Sequence, residues 1–444
     1  MTVITRFAPS PTGNLHVGNV RTALHNWLFA KRMGGQCLLR IDDTDTERSE
    51  ERFVEGIHAD LAWLGLAMDG EVRQSDRFAL YEARFDELRA RGRVYPCFET
   101  AQELDLRRKV LLGRGLPPVY DRAALALTPD EIAARIAAGD TPHWRFKLDH
   151  DAPIEWTDLV RGPQHFEPHL LSDPVIRRAD GSWLYMLPSV IDDIDMGVTH
   201  VLRGEDHVSN TATQLQMFAA LDAATPTFAH MALLVGTEGK LSKRLGSLGM
   251  DALREAGIEP IALNALLARL GTSDPVEPVT EMAPLIERFD FAHFGRAPAR
   301  FSEEELADLN SKIIHKLPFS AVSGRINRKI TPQAWAVLQP NLTTVADAAD
   351  WVDVLTGEIA APALPDEDRA YVGEAAAALE AMAWGDDPWH ALTSALKETT
   401  GRKGRGLFQP LRLALTGQTH GPDMAALLPL IGRELALQRL RSAA

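Results

Sequence analysis

Over the first 75 residues the apolar pattern switches from strand to helix and back. Val3–Ala8 is a short, β-inclined apolar run. Pro9-Ser10-Pro11-Thr12-Gly13 cannot extend it, because two prolines remove backbone donors and the glycine admits an unusual turn. From Val17 to Met33 the apolar residues Val20, Leu24, Trp27 and Leu28 recur at helical spacing, and Gly34-Gly35 ends the run. Cys37–Ile41 is a second apolar strand with Asp42-Asp43-Thr44-Asp45 at its end. Strand, helix, strand at this spacing predicts a βαβ unit and a parallel sheet, whose ligands bind beyond the carboxyl ends of the strands.

From about 76 to 190 the pattern is mixed. Thr128-Pro129-Asp130-Glu131 predicts a helix start, with Thr as cap, Pro in the first turn and Glu reaching back. His143–Leu148 and Trp183–Leu187 read as strands. After Asp192-Asp193 the alternation returns, with a strand at Val198–Leu202, a helix at Thr211–Leu221 and a strand at Ala229–Val235. From Ser247 onward almost everything reads as helix, with starts at Ser302-Glu303-Glu304-Glu305 and Thr331-Pro332. The chain is therefore expected to be α/β with a helical C-terminal part.

Composition narrows the class. At 444 residues the chain is expected to hold about three domains. Hydrophobic residues make up 45% and charged residues 24%, which excludes disordered and collagen-like chains. Two scattered cysteines, Cys37 and Cys97, with no secretory leader and no long apolar run, point to a cytoplasmic protein without membrane contact. The net charge of −14 argues at first against a nucleic-acid partner. Its distribution argues less firmly. Lys312, Lys316, Arg325, Arg328 and Lys329 form one basic patch and Arg402 to Arg441 another, on either side of the acidic stretch Asp347–Glu398.

Two segments carry candidate phosphate chemistry. His16-Val17-Gly18-Asn19 lies where the first strand turns into the first helix, so free N–H groups and the helix dipole could face a phosphate there. Read alone, His16 is as well explained as a cap or surface residue. Lys240-Leu241-Ser242-Lys243-Arg244 lies among Gly236, Gly239 and Gly246; it is either a cationic loop for a transferring phosphoryl group or an exposed basic turn. Neither a P-loop nor a dinucleotide fingerprint is present.

Taken together these motifs are specific. The ordered series Pro9–Gly13, His16–Gly18, Arg40-Ile41-Asp42-Asp43-Thr44-Asp45, Asp192-Asp193, Arg203–His207, Lys240–Arg244 and Gly406–Arg412 resembles class I aminoacyl-tRNA synthetases. Within them it resembles the glutamyl-tRNA synthetase family, over essentially the whole chain. The resemblance implies a split Rossmann-type parallel-sheet catalytic domain at 1–75 and 190–240. It implies an inserted α+β acceptor-binding domain at 76–189, a helical stem-contact domain at 241–310 and a helical anticodon-binding domain at 311–444. It implies that ATP, as its Mg²⁺ complex, meets His16, Gly18, Asp206, Lys240, Ser242, Lys243 and Arg244, with His16, Lys240 and Lys243 catalytic. For L-glutamate it implies Arg6, Ala8, Ser10, Asp42, Tyr185, Ser189 and Arg203; for tRNA(Glu), Arg402, Arg405 and Arg412. Two arginines suit a substrate with two carboxylates, and Asp42 can balance its ammonium.

Some positions depart from the family. Asn19 stands where class I enzymes favour a second His, Asp42 where the glutamyl family usually has Glu, and Ser189 where many relatives carry an amide. The structural zinc of some members needs Cys-x-Cys and Cys-x-His. Cys97-Phe98-Glu99 and Tyr120-Asp121-Arg122 offer one plausible ligand, so no metal site is expected. The implied reaction forms glutamyl-adenylate and passes the acyl group to the tRNA 3′ end, by positioning and charge neutralisation. A monomer is expected, and charging of tRNA(Gln) stays open.

Overall fold

The strand β1 (Ile4–Phe7) ends where Pro9 and Pro11 interrupt its donors, and α1 (Val17–Arg32) begins after the turn. The chain returns through Gly34-Gly35 into β2 (Gln36–Ile41), which pairs in parallel with β1 from Ile4↔Gln36 to Phe7↔Leu39. Gly35 is required by a close approach: a Cβ there would collide with the Val3 carbonyl. After α2 (Glu51–Trp63), β3 (Gly70–Arg73) adds in parallel to β2. The structure, a computed structural model, describes residues 2–236 and 249–444.

An inserted segment follows. It holds α3 (Phe78–Ala90), β4 (Val94–Cys97), α4 (Ala101–Gly113), α5 (Pro129–Ala137) and β5 (His143–Phe146), then β6 (Ile154–Asp158), β7 (Gly162–Phe166) and β8 (Val175–Arg177). Here β4-β5-β8 form one antiparallel sheet and β6-β7 a hairpin. Thr128 caps α5 through the Glu131 N–H, and Glu131 reaches back to the Thr128 N–H, so the expected capping box forms. The parallel fold resumes with α6 (Met186–Asp195), β9 (His200–Gly204), α7 (Val208–Ala220) and β10 (Thr227–Met231). The Thr199 N–H donates to the Ile4 carbonyl at 2.9 Å, which sets β9 beside β1.

One expected strand does not form. Trp183 makes only an isolated bridge to Arg177, and Met186–Asp195 is helical. Leu187, Val190 and Ile191 share one helical face and enter a buried cluster with Tyr81, Phe146, Ile176, Phe218 and Phe228. Of the run Trp183–Leu187 only Met186 and Leu187 enter the helix, whose buried face holds them there; Leu184 and Tyr185 form the approach to it. The run Ala229–Val235 also splits, into β10 and β11 (Leu234–Gly236); β11 pairs in parallel with β12 (Ala299–Phe301), a strand in the otherwise helical stretch.

The described residues divide into two compact units, one of residues 1–254, 263–277 and 281–302, the other of 255–262, 278–280 and 303–444. The second is helical from Glu303–Ile314 to Arg433–Ala443, around buried Trp335, Leu338, Leu392, Leu411, Leu428 and Leu440. Thr331 caps its helix through the Ala334 N–H, as expected.

Candidate active site

A cavity of about 760 Å³ opens at the carboxyl ends of β1, β2, β9 and β10, where a parallel sheet of this kind binds its ligands. Its wall includes Arg6, Ala8, Ser10, His16, Gly18, Asp42, Tyr185, Arg203 and Asp206. Residues up to 200 positions apart in sequence are thus gathered on one surface. Lys240, Ser242, Lys243 and Arg244 lie outside the described residues.

At the floor, charges alternate. Arg40 is fully buried; its Nε donates to Asp42 Oδ1 at 2.6 Å, its Nη2 to Asp42 Oδ2 at 3.1 Å and its Nη1 to Asp193 Oδ1 at 2.9 Å. Burial opposes the Arg40 charge, but Asp42, Asp193 and Asp192 outweigh it and hold the guanidinium protonated. Arg6 donates from Nε to Asp193 Oδ1 at 3.0 Å and from Nη2 to Oδ2 at 3.4 Å, so Nη1 is left without a partner among the described residues. Asp192 is itself held by Gln74 and Arg77, each at 2.7 Å, and by the Tyr81 hydroxyl.

Ser189 is corrected from a wall residue to a support. It is fully buried, and its Oγ and carbonyl accept from Arg40 at 3.1 and 3.3 Å. Arg40 itself was missed as a site residue; an arginine inside the apolar run Cys37–Ile41 was the available signal, since such a charge is buried only with partners.

Arg203 differs from its neighbours. Nε donates to His230 Nε2 at 3.3 Å, Nη1 to the Tyr185 hydroxyl at 3.0 Å, and Nη2 to Gln214 Oε1 at 2.7 Å and to Thr211 Oγ1. Every one of these acceptors is neutral as an amide, hydroxyl or unprotonated imidazole. Burial accordingly pulls the Arg203 pKa below its usual range. The site thus holds a buried cation without a carboxylate of its own, facing the cavity.

His16 is the N-cap of α1. Its Nδ1 accepts from the Gly18 N–H at 3.1 Å, and its own N–H donates to Asn19 Oδ1 at 3.2 Å. This corrects the picture of free N–H groups at this helix start: two of them are occupied from within. It also gives Asn19 a local task. Burial lowers the His16 pKa, so the ring is neutral, and accepting at Nδ1 places its proton on Nε2. Gly18 permits the fold-over, since a Cβ would lie 3.0 Å from His16 Cε1.

Two other groups of expected residues fare differently. Arg402 is already engaged, donating to Asp368 at 2.5 Å and Glu367 at 3.0 Å with its guanidinium 4.4 Å from the Tyr371 ring. Arg412 is partly buried and donates to the Pro422 carbonyl at 2.8 Å. Arg405 is exposed. Of the tail cations, Arg402 and Arg441 are paired with acids, Arg412, Arg433 and Arg439 donate to carbonyls, and Lys403 and Arg405 are exposed. Near Cys97 the expectation of a single donor is corrected: Glu99 and His143 bring their donor atoms within 4.8 Å of the thiol. His143 Nε2 and Glu99 Oε2 are buried without hydrogen-bond partners. Three such donors among the described residues fall one short of the tetrahedral set a structural zinc needs.

Residues 2–308 match the class I tRNA synthetase (E and Q) catalytic domain, and residues 304–444 an anticodon-binding domain. The chain is 67% identical to glutamate–tRNA ligase 2 of Sphingopyxis alaskensis, covering 100% of this chain and 99% of that protein. It is 66% identical to glutamate–tRNA ligase 1 of Rhizorhabdus wittichii, covering both in full. The crystal structure of a glutamate tRNA ligase from Elizabethkingia meningosepticum in complex with its amino acid superposes with a TM-score of 0.87 at 28% identity, over 100% of this chain and 99% of that one. Fold, cavity and relatives define a class I tRNA synthetase, and within that class the chain belongs to the glutamate–tRNA ligase family.

Proposed function

We propose that this protein activates L-glutamate with Mg²⁺-bound ATP and transfers the glutamyl group to the 3′ end of tRNA(Glu), in the cytoplasm. The observation that carries the amino-acid reading is Arg203, a buried guanidinium on the cavity wall whose partners are all neutral. A carboxylate from the substrate completes it: these contacts leave one N–H on Nη1 free to donate, and the anion supplies the charge that the neutral partners lack. Arg6, whose Nη1 has no partner among the described residues, is the second contact for a two-carboxylate substrate, and Asp42, on the wall of the same cavity, balances the substrate ammonium.

His16, with its proton on Nε2, donates to a phosphoryl oxygen of ATP, and Gly18 and Asp206 share that end of the cavity. Lys240, Ser242, Lys243 and Arg244 are assigned to the α-phosphate and the departing pyrophosphate by their motif. In this reading residues 1–75 and 190–240 carry the chemistry and 76–189 hold the acceptor end. Residues 241–310 meet the stem and 311–444 the anticodon, where Arg405 is the exposed basic contact. No base or nucleophile from the protein is required, because bringing the carboxylate in line with the α-phosphate and neutralising charge lowers the barrier.

Pyrophosphate exchange dependent on glutamate, ATP and tRNA tests the reading. Exchange with glutamate but not with aspartate or glutamine is the expected result. No exchange under any tRNA supplement overturns it. Charging purified tRNA(Glu) and tRNA(Gln) side by side defines the acceptor range.

A further inference from the structure

Asp158 ends β6 in the inserted segment and is fully buried against the catalytic sheet. Its Oδ1 accepts from three backbone N–H groups, Val160 and Arg161 at 2.9 Å and His230 at 3.1 Å. Its Oδ2 accepts from His230 Nδ1 at 2.5 Å. Holding its proton at Nδ1, His230 turns a bare Nε2 toward Arg203 Nε at 3.3 Å and the Thr211 hydroxyl at 2.8 Å. Thr211 Oγ1 in turn accepts from Arg203 Nη2. The same turn is anchored twice more, by Leu159 N–H to the Phe228 carbonyl at 2.9 Å and by an ion pair between Arg161 and Glu205. Neither Asp158 nor His230 lines the cavity.

We propose that Asp158 is a positioning residue which, through His230, aims the Arg203 guanidinium at the substrate carboxylate, so that seating the 158–161 turn of the inserted segment on the catalytic sheet completes the amino-acid pocket. The inference rests on Arg203 being the carboxylate ligand. The chemistry is directional. In Asp158→Asn the three backbone donors keep the amide oxygen at the Oδ1 position, which leaves the NH₂ facing His230 Nδ1. The imidazole must then accept at Nδ1 and carry its proton on Nε2, opposing the Arg203 Nε–H donor to donor. The burial of His230 keeps its ring neutral, in line with either tautomer but not with imidazolium.

Steady-state aminoacylation tests this with Asp158→Asn, His230→Gln, the double variant and Arg203→Lys. Asp158→Asn is expected to raise the glutamate KM at least tenfold, with kcat and the ATP KM within threefold. A glutamine at 230 supplies an acceptor to Arg203 without help from Asp158, so in that background Asp158→Asn is expected to add less than threefold. An unchanged glutamate KM, equal rises in both KM values, or a full tenfold effect persisting in the glutamine background each overturns the proposal. Arg203→Lys separates the two layers: if it leaves the glutamate KM unchanged, the pocket reading fails; if it raises KM while Asp158→Asn does not, only the positioning role fails. Selective ¹⁵N-histidine spectra are expected to show the His230 proton moving from Nδ1 to Nε2 in Asp158→Asn, and an unmoved proton overturns the tautomer step. Should Asp158→Asn not fold, His230→Gln against His230→Leu decides: a tenfold KM rise only with leucine supports the proposal, and equal rises overturn it.

Discussion

His16 shows how one side chain combines a structural and a chemical task. Its Nδ1 caps α1, and that bond decides which ring nitrogen carries the proton offered to a ligand. His16→Ala loses the cap and should lower stability by about 1 kcal/mol, while His16→Asn restores a cap and should remain within a few tenths. Both should lose adenylate formation at least tenfold. Urea unfolding paired with pyrophosphate exchange separates the two tasks, and wild-type exchange in His16→Asn would remove the ring from the chemistry. The tail arginines divide in a similar way. Arg402→Glu places a third acid beside Asp368 and Glu367 and should cost about 2 kcal/mol of stability. Arg405→Glu should leave stability unchanged, weaken tRNA binding and flatten its salt dependence. Titrations at several salt concentrations check this, and an unchanged slope would place the RNA elsewhere.

Between elements, buried cations serve as fasteners. Arg21 on α1 donates to the Ala232 carbonyl just past β10 at 2.7 Å and to the Leu270 carbonyl just past the helix Pro260–Arg269 at 2.8 Å, where element ends would otherwise leave acceptors unsatisfied. In the helical unit, Arg439 on the last helix donates to four carbonyls, Val354 and Leu415 at 2.7 Å and Asp353 and Gly357 at 2.8 Å. Removing it strands the buried Val354 and Leu415 carbonyls and frees the half-buried pair at Asp353 and Gly357. Arg439→Ala should therefore destabilise the helical unit by about 3 kcal/mol, more than an exposed arginine such as Arg405 costs. Differential scanning calorimetry would register an earlier helical transition; coincident melting with wild type would contradict the fastening role.

Across the whole molecule, burial sets the response to acid. His16, His25, His143, His200, His207 and His230 all have pKa values lowered from the ordinary 6.5, with burial the leading cause in each. A folded chain with depressed histidines binds fewer protons than the unfolded chain once the pH drops below about 6.5. Their contribution to stability is complete above that pH and is lost as the pH falls toward the depressed folded values. Urea midpoints should be level from pH 8 to 7 and decline steadily from 6.5 to 5. A midpoint that holds level to pH 5 would mean that these rings protonate without cost. The overall charge of −14 acts on another level, as a net repulsion that favours solubility.

Local chemistry by itself determined, to within a residue, where β1, α1 and β2 begin and end and where the capped α5 begins, because prolines, Gly34-Gly35 and the Thr-Pro-Asp-Glu box act within a few residues. The ordered motifs likewise determined the family, and with it nine residues that share the cavity wall. Only the tertiary structure decided how those residues are used. The periodicity of Trp183–Leu187 could not place a helix start at Met186 before the apolar face of that helix had a core to enter. Ser189 and Arg402 carry groups able to meet a ligand, but Ser189 bonds to Arg40 away from the cavity wall and Arg402 pairs with Asp368 and Glu367. Asp158 and His230 lay beyond sequence reasoning for the same reason, as did the partners of Arg40 and Asp193. A buried charge is defined by partners that stand 2 to 187 residues away along the chain, and the packed sheet holds them 2.6 to 3.0 Å apart.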